Sequence, residues 1–292
     1  MVSIIIPAHN EGSLIGDCLD AVIADCDPGS PAEIVVAANG CTDDTVRRAE
    51  SRRGVRVVNI AAAGKSAALN AAEEDPAAFP RIYLDADIVV PPGGIAAVTE
   101  VLQAGTRVLA AAPGRRVNVT GRPWPVRAYF AVNQRLPAFE SGLFGRGMIG
   151  LTQEGRGRFD KFPGMIADDL FLDSLFSDGE KLIVPDVEVV VEAPWRTRDL
   201  VRRLIRVRRG NAALRSAGRS GGLPTTVRPA ARWAWLRSVV LPHPALAPAA
   251  MVYVALTVWA AVLARRTSHS AQRWERDEST REATMAAGSG AV

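Results

Sequence analysis

The sequence predicts an α/β fold with a mostly parallel central sheet, followed by a C-terminal apolar helix. Three observations carry that expectation. Runs rich in Val, Ile and Ala alternate with segments of helical periodicity through the first half of the chain. The runs are continuously apolar, as strands covered on both faces are. Polar residues gather where the runs end, which is where open parallel sheets bind ligands.

The first run, VSIII (2–6), is closed by Pro7. Leu14, Ile15, Cys18, Leu19, Val22 and Ile23 then recur at helical spacing, with Asn10 or Ser13 as the cap. EIVVAA (33–38) is the second strand, Asn39-Gly40 its turn, and 45–51 a short helix. VRVVNI (55–60) is the third strand, and Gly64-Lys65 leads into a helix over 66–74. RIYLDADIVV (81–90) and RVLAAA (107–112) read as the fourth and fifth strands. Residues 113–165 are irregular and rich in Gly and Arg. IADDLFLDSLF (166–176) reads as a helix with an acidic first turn, LIVPDVEVVVE (182–192) as a strand, and RTRDLVRRLIRVRRGN (196–211) as a basic helix.

The chain has 292 residues and a formal net charge of +4. Only Lys65, Lys161 and Lys181 are lysines, so the positive charge is mostly arginine, which suits phosphate groups and anionic lipid and is not taken as a nucleic-acid signal. Cys18, Cys26 and Cys41 fit no zinc spacing and are expected to be reduced, in a cytosolic setting. MVSIIIPAHNEG turns polar too soon for a secretory signal.

This organisation assigns 1–215 to one α/β domain, 216–237 to a linker and basic juxtamembrane segment, 238–266 to a membrane-associated or transmembrane helix, and 267–292 to a polar, disordered tail. LAPAAMVYVALTVWAAVLA (246–264) would extend ~28 Å as a helix, about one hydrocarbon core. Arg265-Arg266 follow it. Pro242, Pro244 and Pro248 weaken its start, which leaves an interfacial segment as the alternative to a span.

Four constellations carry chemistry. Asp85 and Asp87 sit inside an apolar run, two apart, so a continuous strand would aim both carboxylates at one site. Hard oxygen donors of that kind suit Mg²⁺ or Mn²⁺, with a ligand's phosphates completing the shell. A turn that leaves both acids in solvent is the plainer alternative. The segments around His9-Asn10-Glu11 and Asn39–Asp43 place polar groups at strand ends, where a base or ribose could dock; helix capping explains part of each. Lys65 follows Gly64, but residue 59 is Asn, so the phosphate-loop pattern fails and Lys65 is left as a loop contact to a nucleotide. Asp168-Asp169 open a helix: one acid can cap it, and the other is left to accept a proton, with desolvation raising its basicity. The arginines from Arg196 to Arg209, Arg206 and Arg209 among them, either meet a diphosphate or form a solvated basic face beside an anionic membrane.

In this order IIIPAHNE, AANGCTDDT, GKSAALN, LDAD and ADD resemble the motifs of the family-2 glycosyltransferases, which have the nucleotide-binding GT-A fold. The likeness covers about residues 2–211. It implies that Pro7, Asn10, Glu11, Asn39, Asp43 and Lys65 hold the base and ribose of a nucleotide-sugar. Asp85 would face the ribose or sugar, Asp87 would bind the metal on the diphosphate, and Asp169, with Asp168 beside it, would be the general base of an inverting transfer. Asn39 stands where the family usually carries Asp. The Gln-x-x-Arg-Trp motif of processive relatives is absent, the nearest segment being RVRRGN, so transfer of a single sugar is expected. The acceptor would be a lipid or glycan hydroxyl at the cytoplasmic membrane face. Two other readings are a metal-dependent nucleotidyltransferase, in which Asp169 has no evident task, and a catalytically silent nucleotide-sugar-binding scaffold.

Overall fold

A computed structural model describes residues 1–26, 32–74, 78–164, 168–219 and 233–266. In chain order its elements are β1 (Val2–Ala8), α1 (Ile15–Asp25), β2 (Ala32–Asn39), α2 (Thr45–Glu50), β3 (Val55–Ile60), α3 (Lys65–Ala72), β4 (Arg81–Leu84), α4 (Gly94–Gln103) and β5 (Ala110–Asn118). Then follow α5 (Trp124–Asn133), α6 (Ala138–Ser141), β6 (Met148–Leu151), α7 (Gln153–Arg156), α8 (Asp168–Ser174), β7 (Lys181–Glu192), α9 (Thr197–Arg219) and α10 (Ala247–Arg266). One turn of π-helix, Trp235–Val240, and a 3₁₀ turn, Pro244–Leu246, precede α10.

The chain forms two compact units: 1–115 with 143–191, and 116–142 with 192–292. A seven-stranded sheet in the order β3-β2-β1-β4-β6-β5-β7 organises the first. β1 pairs in parallel with β2 on one side and β4 on the other, and β2 with β3. β6 enters antiparallel between β4 and β5, so the sheet is mixed but mostly parallel, as the sequence predicts. β1 is buried along its whole length, which its unbroken apolar composition allows only in a doubly covered central strand. Winding reverses at β1: β2 and β3 lie to one side and β4 to the other. The carboxyl ends of β1 and β4 therefore open on a switch-point crevice.

The fourth strand is shorter than its apolar run. The ladder ends at Leu84, paired with Met148, and Asp85-Ala86-Asp87 turns out of the sheet. Asp85 N–H still donates to Gly147 O (2.7 Å), while Ile88 N–H returns to Asp85 O (3.1 Å). The acids are thus placed by a turn and not by strand alternation. Ala86, Ile88 and Val90 stay apolar because they pack back into the core beyond the turn. At the opposite end of β4, buried Glu73 accepts from Arg81, Arg156 and the Tyr83 hydroxyl, closing a polar group that would otherwise be costly inside.

In the second unit α10 packs along α5 and α9. Leu256 and Ala260 lie among Val126, Phe130, Leu200 and Val201, and Tyr253 stacks on Tyr129 with ring centroids 5.1 Å apart. α9 runs to Arg219, into the stretch expected as a linker. The rest of that stretch up to residue 232, and the expected tail from 267, lie outside the described residues. The span Pro244–Arg266 is long and apolar enough, by length and composition, to cross a membrane. An arginine at a bilayer centre costs about 2.5–3.5 kcal/mol. The arginine-rich α9 therefore bars hydrocarbon from the side of α10 that it covers.

Candidate active site

The site is assembled at the carboxyl ends of β1, β2 and β4, within the first unit. Two loops build its left wall. Asn10, at φ +52°, turns the chain after β1, and its side-chain oxygen accepts from Thr42 N–H (2.7 Å). Asp43 accepts from Gly12 N–H (2.9 Å) and from Thr45 N–H (3.1 Å) and its hydroxyl. Burial pushes the Asp43 carboxyl up, but these bonds outweigh it and leave it below the usual range. Glu11 is buried, and its N–H donates to the Thr45 hydroxyl (2.8 Å). Pro7 lies within β1, opposite Ala37.

Asn39 is fully buried at the end of β2. Its amide donates to Ala8 O (2.8 Å) and Ala37 O (3.3 Å), and its oxygen accepts from Gly64 N–H (3.0 Å). This one side chain fastens β1, β2 and the loop that carries Lys65. A carboxylate cannot donate to Ala8 O, which accounts physically for Asn here. Asn39→Asp is expected to cost ~1–3 kcal/mol at neutral pH, the desolvation of a carbonyl left unsatisfied. Chemical denaturation checks it. The buried acid's pKa would be raised, so the deficit grows as pH rises through it and narrows toward pH ~4, where a protonated carboxyl can donate again.

Lys65, the first residue of α3, reaches across the crevice. Its ammonium lies 2.6 Å from Asp85 Oδ1 and 2.8 Å from Asp168 Oδ2. Burial pulls its pKa down, but the attraction of Asp168 and Asp85 prevails and the net direction is up. The Asp168 carboxyl is also shifted upward, unlike that of most ion-paired carboxylates. Burial raises it to about 6, Lys65 opposes that, and the charges of Asp169 and Asp85 reinforce it. Asp87 lies two residues beyond Asp85, exposed.

Asp169 sits next in α8. Its Oδ2 accepts from Gly145 N–H (2.8 Å) and its Oδ1 from Leu170 N–H (2.7 Å). Asp168 thus holds Lys65, and Asp169 is oriented by two backbone donors. The acid whose pKa burial raises is Asp168. Arg206 and Arg209 lie on α9, in the second unit.

Two contributors escaped the sequence reading, Gly145 and Gly147, at φ +69° and +71°. The first donates to Asp169; the second accepts from Asp85 N–H and lies so close to Ile88 that a Cβ would stand 2.5 Å from its Cγ1. Only glycine combines that backbone with that approach. The spacing in FGRGMIG was a legible signal of a tight loop, though not of its partners.

The sequence pattern described as "Glycosyl transferase family 2" matches residues 3–159, more than half of the chain. Among solved structures, a mannosyltransferase from Pyrobaculum calidifontis in complex with GDP-Man and Mn²⁺ aligns at a TM-score of 0.57 and 21% identity, covering 99% of this chain and 79% of that one. Glucosyl-3-phosphoglycerate synthase from Mycobacterium tuberculosis, in complex with phosphoglyceric acid, aligns at 0.54 and 20%, covering 77% and 81%. TarS 1–349 of S. aureus, in complex with UDP-GlcNAc, aligns at 0.50 and 16%, covering 65% and 58%. These likenesses show the shared GT-A fold. No curated protein matches the chain in a sequence search.

Proposed function

Because the chain belongs to glycosyl transferase family 2 and is thus a glycosyltransferase using a nucleotide-sugar, we propose that it moves one sugar, with inversion, onto a hydroxyl of a lipid or glycan at the cytoplasmic membrane face. The observation that carries the residue assignment is the Lys65–Asp85–Asp168 cluster at the switch point, with Asp169 adjoining it.

The loops at Asn10–Glu11 and Asn39–Asp43 shape the nucleoside end. Asn39 and Asp43 act there as braces, since their polar atoms are engaged with the backbone. Asp85 and Asp87 fit a divalent cation. Asp85 already faces a cationic group, and both are hard oxygen donors. Among the described residues no three His, Cys, Asp or Glu gather as a metal-holding group, so the donor's diphosphate would supply further oxygens. A bound Mn²⁺ or Mg²⁺ would offset the charge developing on the departing nucleoside diphosphate. Asp169 takes the proton from the acceptor hydroxyl as that oxygen attacks the anomeric carbon. The C–O bond to the sugar forms as the bond to the diphosphate breaks, and the configuration inverts. Lys65 keeps Asp85 and Asp168 in register, so the donor-binding turn and the base-bearing helix move together.

A panel of nucleotide-sugars tests this reading. At least one donor is expected to stabilise the protein against heat in Mn²⁺ and to lose that effect in chelator. Nucleoside diphosphate release should follow the same donor. No stabilisation by any donor would contradict it.

A further inference from the structure

We infer that α10 docks the protein flat on an anionic bilayer surface, without crossing it, through one continuous apolar stripe. This deepens the membrane placement proposed above and rests on it. Leu256 and Ala260 face the interior of the second unit. On the other side, Met251 (71% exposed), Ala255, Val258 (55%), Trp259 (54%) and Val262 (39%) follow at intervals of four, three, one and three residues, a single helical face. No polar side chain interrupts it. A helix whose two faces are both apolar, one of them already covered by protein, leaves the second for an apolar medium.

Charge identifies that medium. Arg265 and Arg266 are exposed and end the same stripe, three and four residues after Val262. Trp259 lies within it, a residue that favours the headgroup boundary. On α9, packed beside α10, Arg198 and Arg202 share the one acid of the helix, buried Asp199, yet keep side chains 62% and 72% exposed, so the trio carries net positive charge. Apolar side chains beside exposed guanidinium groups suit acyl chains beneath phosphate headgroups. A second copy of the chain suits them less. The stripe from Met251 to Val262, roughly 17 Å long, offers five side chains, against the ~20–30 residues a side of a stable interface. Nor can α10 cross the bilayer while α9 holds it, since the α9 arginines would be drawn in with it.

The test uses the full-length chain and two variants, Val258→Glu with Trp259→Glu, and Met251→Glu alone. All three positions are exposed, so the fold should survive, as circular dichroism checks. Sedimentation with vesicles of phosphatidylcholine, with and without phosphatidylglycerol, is the readout. The expected result is binding to the acidic vesicles, release by alkaline carbonate, weakening in high salt, and a loss of about tenfold or more in either variant. Nucleoside diphosphate release from a soluble donor should stay unchanged. Resistance to carbonate would overturn flat docking in favour of a span, yet leave the membrane placement standing. Absence of vesicle binding would overturn both, and a dimer in solution that the variants dissolve would identify a second copy as the occupant.

Discussion

Asp169→Asn is expected to lower kcat by about 10²–10⁴-fold, the contribution of a positioned general base, while donor affinity stays within error of wild type. The amide oxygen can still accept the Gly145 N–H that now binds Asp169 Oδ2, and only the local Leu170 N–H loses its acceptor, so the side chain keeps its longer-range anchor. What it loses is the ability to take a proton. The donor contacts proposed above lie elsewhere, at Asp85, Asp87 and the loops after β1 and β2. Calorimetric titration of the donor in Mn²⁺ and single-turnover transfer, measured on the same preparation, separate the two quantities. A nucleotidyltransferase would keep its rate in this variant, and a silent binder would have no rate to lose. A joint fall in donor affinity and kcat would mean that Asp169 supports the fold of the site and does not act as the base.

Gly147→Ala is expected to damage stability and donor binding together. At φ +71° an alanine costs roughly 1–2 kcal/mol in the backbone alone. Its Cβ would stand 2.5 and 2.8 Å from two carbons of Ile88, and forcing such contact in a packed core costs a further ~1–3 kcal/mol. Ile88 follows the Asp85–Asp87 turn directly, and the same Cβ would lie 3.5 Å from Asp85 Oδ2. Relief of the clash moves Ile88, the residue next to the turn, and is expected to shift the acids with it. Gly54→Ala provides the comparison: φ is +82° but nothing lies within 4 Å, so only the backbone cost applies. The Gly147 variant should unfold at clearly lower denaturant than the Gly54 variant and lose donor binding, which the Gly54 variant keeps. Equal destabilisation with intact donor binding would show that the loop after Gly145 does not position Asp85.

The sheet was legible because its strands are buried on both faces, and continuous apolar runs such as VSIII and EIVVAA record that directly. The membership of the cluster was legible from motif order. Its geometry was not. The run from Ile82 to Val90 reads as one strand, because burial after a turn and burial within a strand demand the same residues; the ladder nevertheless stops at Leu84. Asn39 read as a ligand contact. Its partners Ala8, Ala37 and Gly64 are backbone groups, which any sequence supplies, so nothing in the residue pattern announces the brace. Asp168 and Lys65 are about a hundred positions apart in the chain, and their pairing exists only once α3 and α8 flank the same crevice. The contributions of Gly145 and Gly147 depend likewise on which side chains the fold brings to them.

If the turn after β4 holds a cation through Asp85 and Asp87, and through it a donor's diphosphate, donor affinity depends on both the metal and the acids. Calorimetric titration of the preferred nucleotide-sugar into wild type and Asp87→Ala, with Mn²⁺ and with chelator, tests it most directly. Mn²⁺ is expected to tighten donor binding to wild type at least about tenfold, by adding charge-assisted contacts to the diphosphate, and Asp87→Ala to abolish this gain while remaining folded. Donor affinity that is indifferent to both the metal and the substitution would contradict it.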